Sequence, residues 1–87
     1  MKKSVWLALS DETRRRIIKL LRFKELNAGE ISSHFDLKKP TISHHLAILK
    51  DSGIIDYKKD KNNIIYSLNE NVLEEVANAF LLMKKGV

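Results

Sequence analysis

Eighty-seven residues fit one domain spanning 1–87, and a chain this short buries only about 60% of its unfolded surface. It has no cysteine, so neither a disulfide nor a thiolate-bound metal makes up the shortfall, which leaves self-association as the usual remedy. A net charge of +5 and a pI near 9.6 favour an acidic partner such as nucleic acid.

No apolar run approaches the roughly 18 residues of a membrane span. Asp11, Glu12 and three arginines follow the N-terminal lysines too closely for a signal peptide, so no membrane insertion and a cytoplasmic location are expected.

Val5, Trp6, Leu7 and Leu9 open a short first helix. Ser10 is placed to cap a second, with Asp11 and Glu12 in its positive first turn and Ile17, Ile18, Leu20 and Leu21 as its apolar stripe. Asn27 and Glu30 have the spacing of a capping box and start a third helix with Ile31 and Phe35 inward. Asp36 and Leu37 make a tight turn. Pro40 suits the first turn of a fourth helix, and Gly53 is its stop.

The apolar period then shortens to two. Ile55 and Tyr57, then Ile64, Tyr66 and Leu68, alternate with polar residues and predict a β-hairpin tipped by Lys58, Lys59, Asp60, Lys61, Asn62 and Asn63. Asn69 caps a last helix running to about Lys85, with Leu73, Val76, Ala77, Phe80 and Leu81 in one stripe. The predicted class is mainly α (α+β), in the order α-α-α-α-β-β-α.

Two short helices joined by a tight turn, the second with a polar free face, describe a helix-turn-helix. At about 100° per residue, with Ile42 at zero, Leu46 falls at about 40° and Leu49 at about 340°. His44 lies opposite at about 200°, flanked by Thr41 at about 260° and Ser43 at about 100°. These three polar residues therefore project outward near the helix start, where base edges are read, while Lys38, Lys39 and the positive helix end attract phosphate. His45, at about 300°, reads as a half-buried packing residue. The hairpin becomes a wing whose Lys58, Lys59, Lys61 and Asn62 reach DNA. Arg14, Arg15 and Arg16 span about 200° of a helix, so they do not share one surface.

Ser10-Asp11-Glu12-Thr13-Arg14-Arg15-Arg16-Ile17-Ile18 resembles the opening of ArsR-type winged-helix repressors. The stretch Lys39-Pro40-Thr41-Ile42-Ser43-His44-His45-Leu46-Ala47-Ile48-Leu49-Lys50 resembles their recognition helix. Gly53-Ile54-Ile55 and Ile65-Tyr66-Ser67-Leu68 resemble their wing. Short length and the lack of sensing residues make the chain most similar to the SdpR-type autorepressor branch.

The resemblance implies a homodimeric repressor on a palindromic operator in double-stranded DNA, with Lys39, Thr41, Ser43 and His44 facing the groove. It also implies a dimer seam from the first and last helices, here Val5, Trp6 and Leu9 with Leu73, Val76, Ala77, Phe80 and Leu81. Three departures stand out. Glu12 replaces a proline, and Lys61 stands where a wing glycine is common, which leaves Asn62 or Asn63 to take the positive φ. Asn27 and Gly29 occupy positions where arsenic- and cadmium-type members carry cysteines, and the last helix has no histidine. Neither a metal nor another cofactor is therefore expected. Any inducer, protein or small molecule, is left open.

No phosphate loop, H-E-x-x-H motif or cysteine nucleophile is present, and Ser43 and His44 diverge by about 100° on one helix, so an enzyme is not expected. The competing readings are a winged-helix protein-interaction module without DNA binding and a metal-responsive repressor using non-cysteine ligands.

Overall fold

A computed structural model describes residues 2–86. The elements are α1 (Ser4–Leu9), α2 (Glu12–Leu21), β1 (Leu26–Asn27), α3 (Ala28–Ser32), α4 (Lys39–Ser52), β2 (Ile55–Asp60), β3 (Asn63–Leu68) and α5 (Glu70–Lys84). The three long helices, α2, α4 and α5, and the hairpin fall where the apolar periods put them.

Short polar signals set the helix ends. Asp11, not Ser10, caps α2: its carboxylate accepts from the Arg14 N–H at 3.1 Å, while the Ser10 hydroxyl folds back to donate to the Leu7 carbonyl. Asn27 and Glu30 form the expected capping box, with reciprocal bonds of 2.8 and 2.9 Å. That helix is one turn long, so Phe35 lies beyond it rather than on it. Asn69 caps α5 by accepting from the Val72 N–H.

The core holds Val5 and Ala8 of α1, Ile17 and Leu21 of α2, Ile31 of α3, and Ile42, Leu46 and Leu49 of α4, closed by Leu26, Ile54, Ile55 and Val76. Each large side chain of this set contributes roughly 1.5–3 kcal/mol by leaving water. Val5 and Val76 therefore belong to the protomer's own interior, not to the predicted dimer seam.

The sequence pattern missed β1, which is too short to show a period. It pairs antiparallel with β3 (Leu26 opposite Tyr66, Asn27 opposite Ile65) and makes a three-stranded sheet of order β1-β3-β2. The chain order is thus α-α-β-α-α-β-β-α. In the hairpin, Asp60 pairs with Asn63, which leaves only Lys61 and Asn62 in the turn. Lys58 and Lys59 are strand residues. The positive φ falls on Lys61 itself, at 59°, and not on either asparagine. Only the root of the hairpin is buried: Ile55 is 1% exposed, whereas Tyr57 and Ile64 are 55 and 45% exposed. Tyr66 and Leu68 pack against the core beside Ile55, while Tyr57 and Ile64 stand on the projecting outer part of the ribbon.

The join from α4 to β2 is rigid. Gly53 ends the helix with φ of 83°, a left-handed conformation that a Cβ disfavours. Buried Ser52 donates to the Leu49 carbonyl at 2.7 Å and accepts from the Ile54 N–H. The Ile54 carbonyl in turn accepts from the Asn69 N–H at 2.8 Å, which fixes the start of α5.

Candidate nucleic-acid interface

α4 is held by its apolar heel. Ile42, Leu46 and Leu49 are 2, 3 and 0% exposed, as the angular spacing requires. Thr41, Ser43 and His44 are exposed on the opposite side, beside exposed Lys38 and Lys39. Lys38 is the N-cap and has extended backbone (φ −71°, ψ 151°), with no side-chain cap on the helix. Pro40 lies in the first turn and supplies no N–H. The terminus therefore keeps its positive field for an anion, and two lysines add to it.

The wing places Lys58, Lys59, Lys61 and Asn62 in solvent on the projecting ribbon. Lys58 also lies 3.4 Å from the Glu25 carboxylate. Both groups are largely exposed, so this pair is weak. The recognition helix and wing are joined by a contact that sequence patterning missed: the Lys50 ammonium sits 4.5 Å from the Tyr57 ring centroid. Lys50 and Tyr57 are seven residues apart, across the Gly53 turn, where no helix or strand period links them.

The arginine run divides three ways, as its angular spread requires. Arg14 is 7% exposed and is spent inside the fold. Its Nε donates to the Ala8 carbonyl and its Nη2 to the Leu7 carbonyl, both at 2.9 Å, closing the end of α1. Arg15 donates to the Leu9 carbonyl at 2.7 Å. The Arg16 guanidinium lies 4.8 Å over the Phe35 ring.

His45 is the half-buried residue its angle implies, with its side chain 12% exposed. Its Nδ1 lies 3.2 Å from Arg14 Nη1 and 3.8 Å from the Asp11 carboxylate. Arginine only donates, so Nδ1 accepts and the ring is neutral, with its proton on Nε2. Desolvation pushes the imidazole below its ordinary value, with Arg14 and His44 adding to the effect and Asp11 opposing it. The Arg14 N–H bond holds the Asp11 carboxyl below the ordinary carboxylate range.

Exposed apolar side chains gather at the two chain ends, apart from Phe23, Leu37, Tyr57 and Ile64 elsewhere. Trp6 and Leu7 of α1 are 38 and 59% exposed, and Phe80, Leu81, Leu82 and Met83 of α5 are each more than half exposed. Of the other predicted seam residues, Ala77 is exposed, and Leu9 and Leu73 are partly buried. Among the described residues, no cluster of three or more His, Cys, Asp or Glu side chains is placed to hold a metal, and no helix is long and apolar enough to cross a membrane.

A short helix, a turn, a second helix with an apolar heel and polar outer face, and a lysine-bearing hairpin behind it define the winged helix-turn-helix class. The family model of bacterial regulatory proteins, arsR family, matches residues 11–57. The chain is 45% identical over 84 residues to the transcriptional repressor SdpR of Bacillus subtilis (strain 168), a match covering 95% of this chain and 93% of that protein. It is 38% identical to the arsenical resistance operon repressor of Staphylococcus aureus, over 78% of this chain and 65% of that one. An ArsR-like transcriptional regulator from Rhodococcus sp. RHA1 superposes with a TM-score of 0.83 at 26% identity, covering 95% of this chain and 78% of that one. The chain belongs to the arsR family of bacterial regulatory proteins, whose relatives here are transcriptional regulators and not enzymes.

Proposed function

We propose that this protein is a homodimeric, cytoplasmic transcriptional repressor that binds a palindromic operator through the helix at 39–52 and the wing at 58–63. The observation that carries this reading is the exposed polar face at the N-terminus of α4, Thr41, Ser43 and His44, set beside exposed Lys38 and Lys39 and followed by a projecting hairpin that bears Lys58, Lys59 and Lys61. Thr41, Ser43 and His44 read base edges. Lys38, Lys39, Lys58, Lys59, Lys61 and Asn62 engage phosphate and the neighbouring groove.

The exposed apolar ends of α1 and α5 supply the dimer seam, formed by Trp6, Leu9, Leu73, Ala77, Phe80 and Leu81. A two-fold dimer then presents its two α4 helices to successive major grooves, about 34–36 Å apart. Repression follows from occupying a promoter. The closely similar SdpR bears the name of a transcriptional repressor.

The test is selection of bound sequences from random duplex DNA, with sedimentation of the free protein and a salt titration of the selected duplex. The expected results are an inverted repeat, a dimer and a steep loss of affinity with salt. No binding to any duplex at low salt overturns the reading.

A further inference from the structure

Arg14 touches two elements with different tasks. Two of its nitrogens hold the last carbonyls of α1, Leu7 and Ala8, and the third holds His45 on α4. α1 carries exposed Trp6 of the proposed seam, and α4 carries the proposed reading face. His44, the central reading residue, is the chain neighbour of His45.

We propose that His45 is a positioning residue for DNA reading: with Arg14 it forms a strut that transmits the placement of α1 to α4 and sets how the reading face enters the groove. This rests on the DNA-binding reading above.

Each link is rigid. Arg14 is buried, and its planar fork is fixed by bonds on both edges. His45 lies on the shoulder of α4 with its side chain 12% exposed, so its ring has little room to move without its Arg14 and Asp11 neighbours. The titratable and charged groups facing the ring are Asp11 at the N-cap of α2, Arg14 within α2 and His44 on α4, and α1 presents its Leu7 and Ala8 carbonyls to Arg14. In the neutral ring, Nδ1 accepts from Arg14. A proton on Nδ1 removes that acceptor, sets two cations face to face and leaves Asp11, 3.8 Å away, as the nearest new partner. Proton uptake by His45 thus exchanges an Arg14 contact for an Asp11 contact and releases the strut.

The experiment compares wild type, His45→Gln and His45→Leu on the selected duplex and on a scrambled duplex of equal length, at pH 7.5 and 5.5. Melting curves accompany each. Gln keeps an acceptor but does not titrate; Leu fills the space without an acceptor. For His45→Leu, preference for the selected over the scrambled duplex is expected to fall about five- to ten-fold at pH 7.5, with scrambled binding unchanged. For His45→Gln it is expected to stay within about two-fold of wild type at pH 7.5 and to lose less than wild type on going to pH 5.5. Long-range imidazole NMR of the free protein is expected to find Nδ1 as the unprotonated nitrogen.

A folded His45→Leu protein with full preference overturns the proposal, and so does parallel acid loss in wild type and His45→Gln. If His45→Leu does not fold, the pH comparison with His45→Gln decides alone. A ring protonated on Nδ1 at pH 7.5 overturns the strut even where DNA binding is intact, whereas wild type that binds no duplex removes the DNA-binding reading itself.

Discussion

Trp6 of α1 and Phe80 of α5 meet edge to face within one protomer, their ring centroids 5.4 Å apart and their planes at 90°. Both rings remain partly exposed, so the pair links the two terminal helices without sealing them from water. Phe80 is therefore an ambiguous probe of dimerisation, because replacing it also unties α5 from α1. Leu81 is a cleaner one, at 54% exposure. Leu81→Glu is expected to give monomers in sedimentation velocity and to lose operator binding. Phe80→Ala is expected to lower protomer stability by about 1 kcal/mol in denaturant titrations. A Leu81→Glu protein that still sediments as a dimer contradicts the seam.

His44 and Lys59 make a second test, because they sit on different parts of the proposed interface. His44→Ala is expected to relax sequence preference, with a loss of about 1–3 kcal/mol on the selected duplex and little change on random DNA. Lys59→Ala is expected to weaken both duplexes alike and to shallow the slope of log affinity against log salt by about one. Equal losses on both duplexes for the two variants contradict this division of roles.

Most of the fold was legible in the spacing of apolar residues, because α2, α4 and α5 are long enough to show a helical period and each has a stop or a cap. β1 was not, since two residues carry no period and its partner Tyr66 lies 40 positions downstream. The exposed polar face of α4 was legible because a buried heel fixes the azimuth of every other side chain. The dimer seam was read too broadly, because a stripe of apolar residues does not say which of them the protomer keeps; Val5 and Val76 are kept. Arg14 was hidden inside a run of three arginines that looks like a solvated face, and only tertiary packing selects the one that is buried.

The turn of the wing offers a stability test. Lys61 holds φ of 59°, a conformation that is strained for a residue with a Cβ. Lys61→Gly is expected to stabilise the protein by about 0.5–1 kcal/mol in chemical denaturation, the relief of strain exceeding the added freedom of the unfolded chain. It also removes a cation, so its affinity for all duplexes is expected to fall slightly. A destabilised Lys61→Gly protein shows that the strain is absent in solution.

Two acid-sensitive groups lie at the junction of α2 and α4. His45 has its folded value below 6.5, so the unfolded chain binds the proton more readily and stability falls as pH drops below 6.5. Asp11 has its folded value below 3.8, so its contribution is full above 3.8 and is lost as pH falls through the folded value. Asp11→Asn keeps an acceptor for the Arg14 N–H but removes the charge. In urea titrations, it is expected to match wild type closely at pH 7 and to lose less stability than wild type below pH 4. Asp11→Ala, which deletes the cap, is expected to lose about 1 kcal/mol at pH 7. Identical acid profiles for wild type and Asp11→Asn exclude the carboxylate as the source of the low-pH loss.

The hairpin has one more consequence. Its outer half shields nothing, since Tyr57, Ile64 and the lysines all stand in solvent, whereas its root is stitched to β1 and the Ile54 turn. Changes in length are therefore tolerated at one end and not at the other. Residues added or removed in pairs between Asp60 and Asn63 preserve the register and alter only how far the tip extends. A single residue inserted between Glu25 and Ala28 shifts the pairing with Tyr66 and displaces the capping box that starts α3. Hairpins of different length are thus compatible with one unchanged frame around α4.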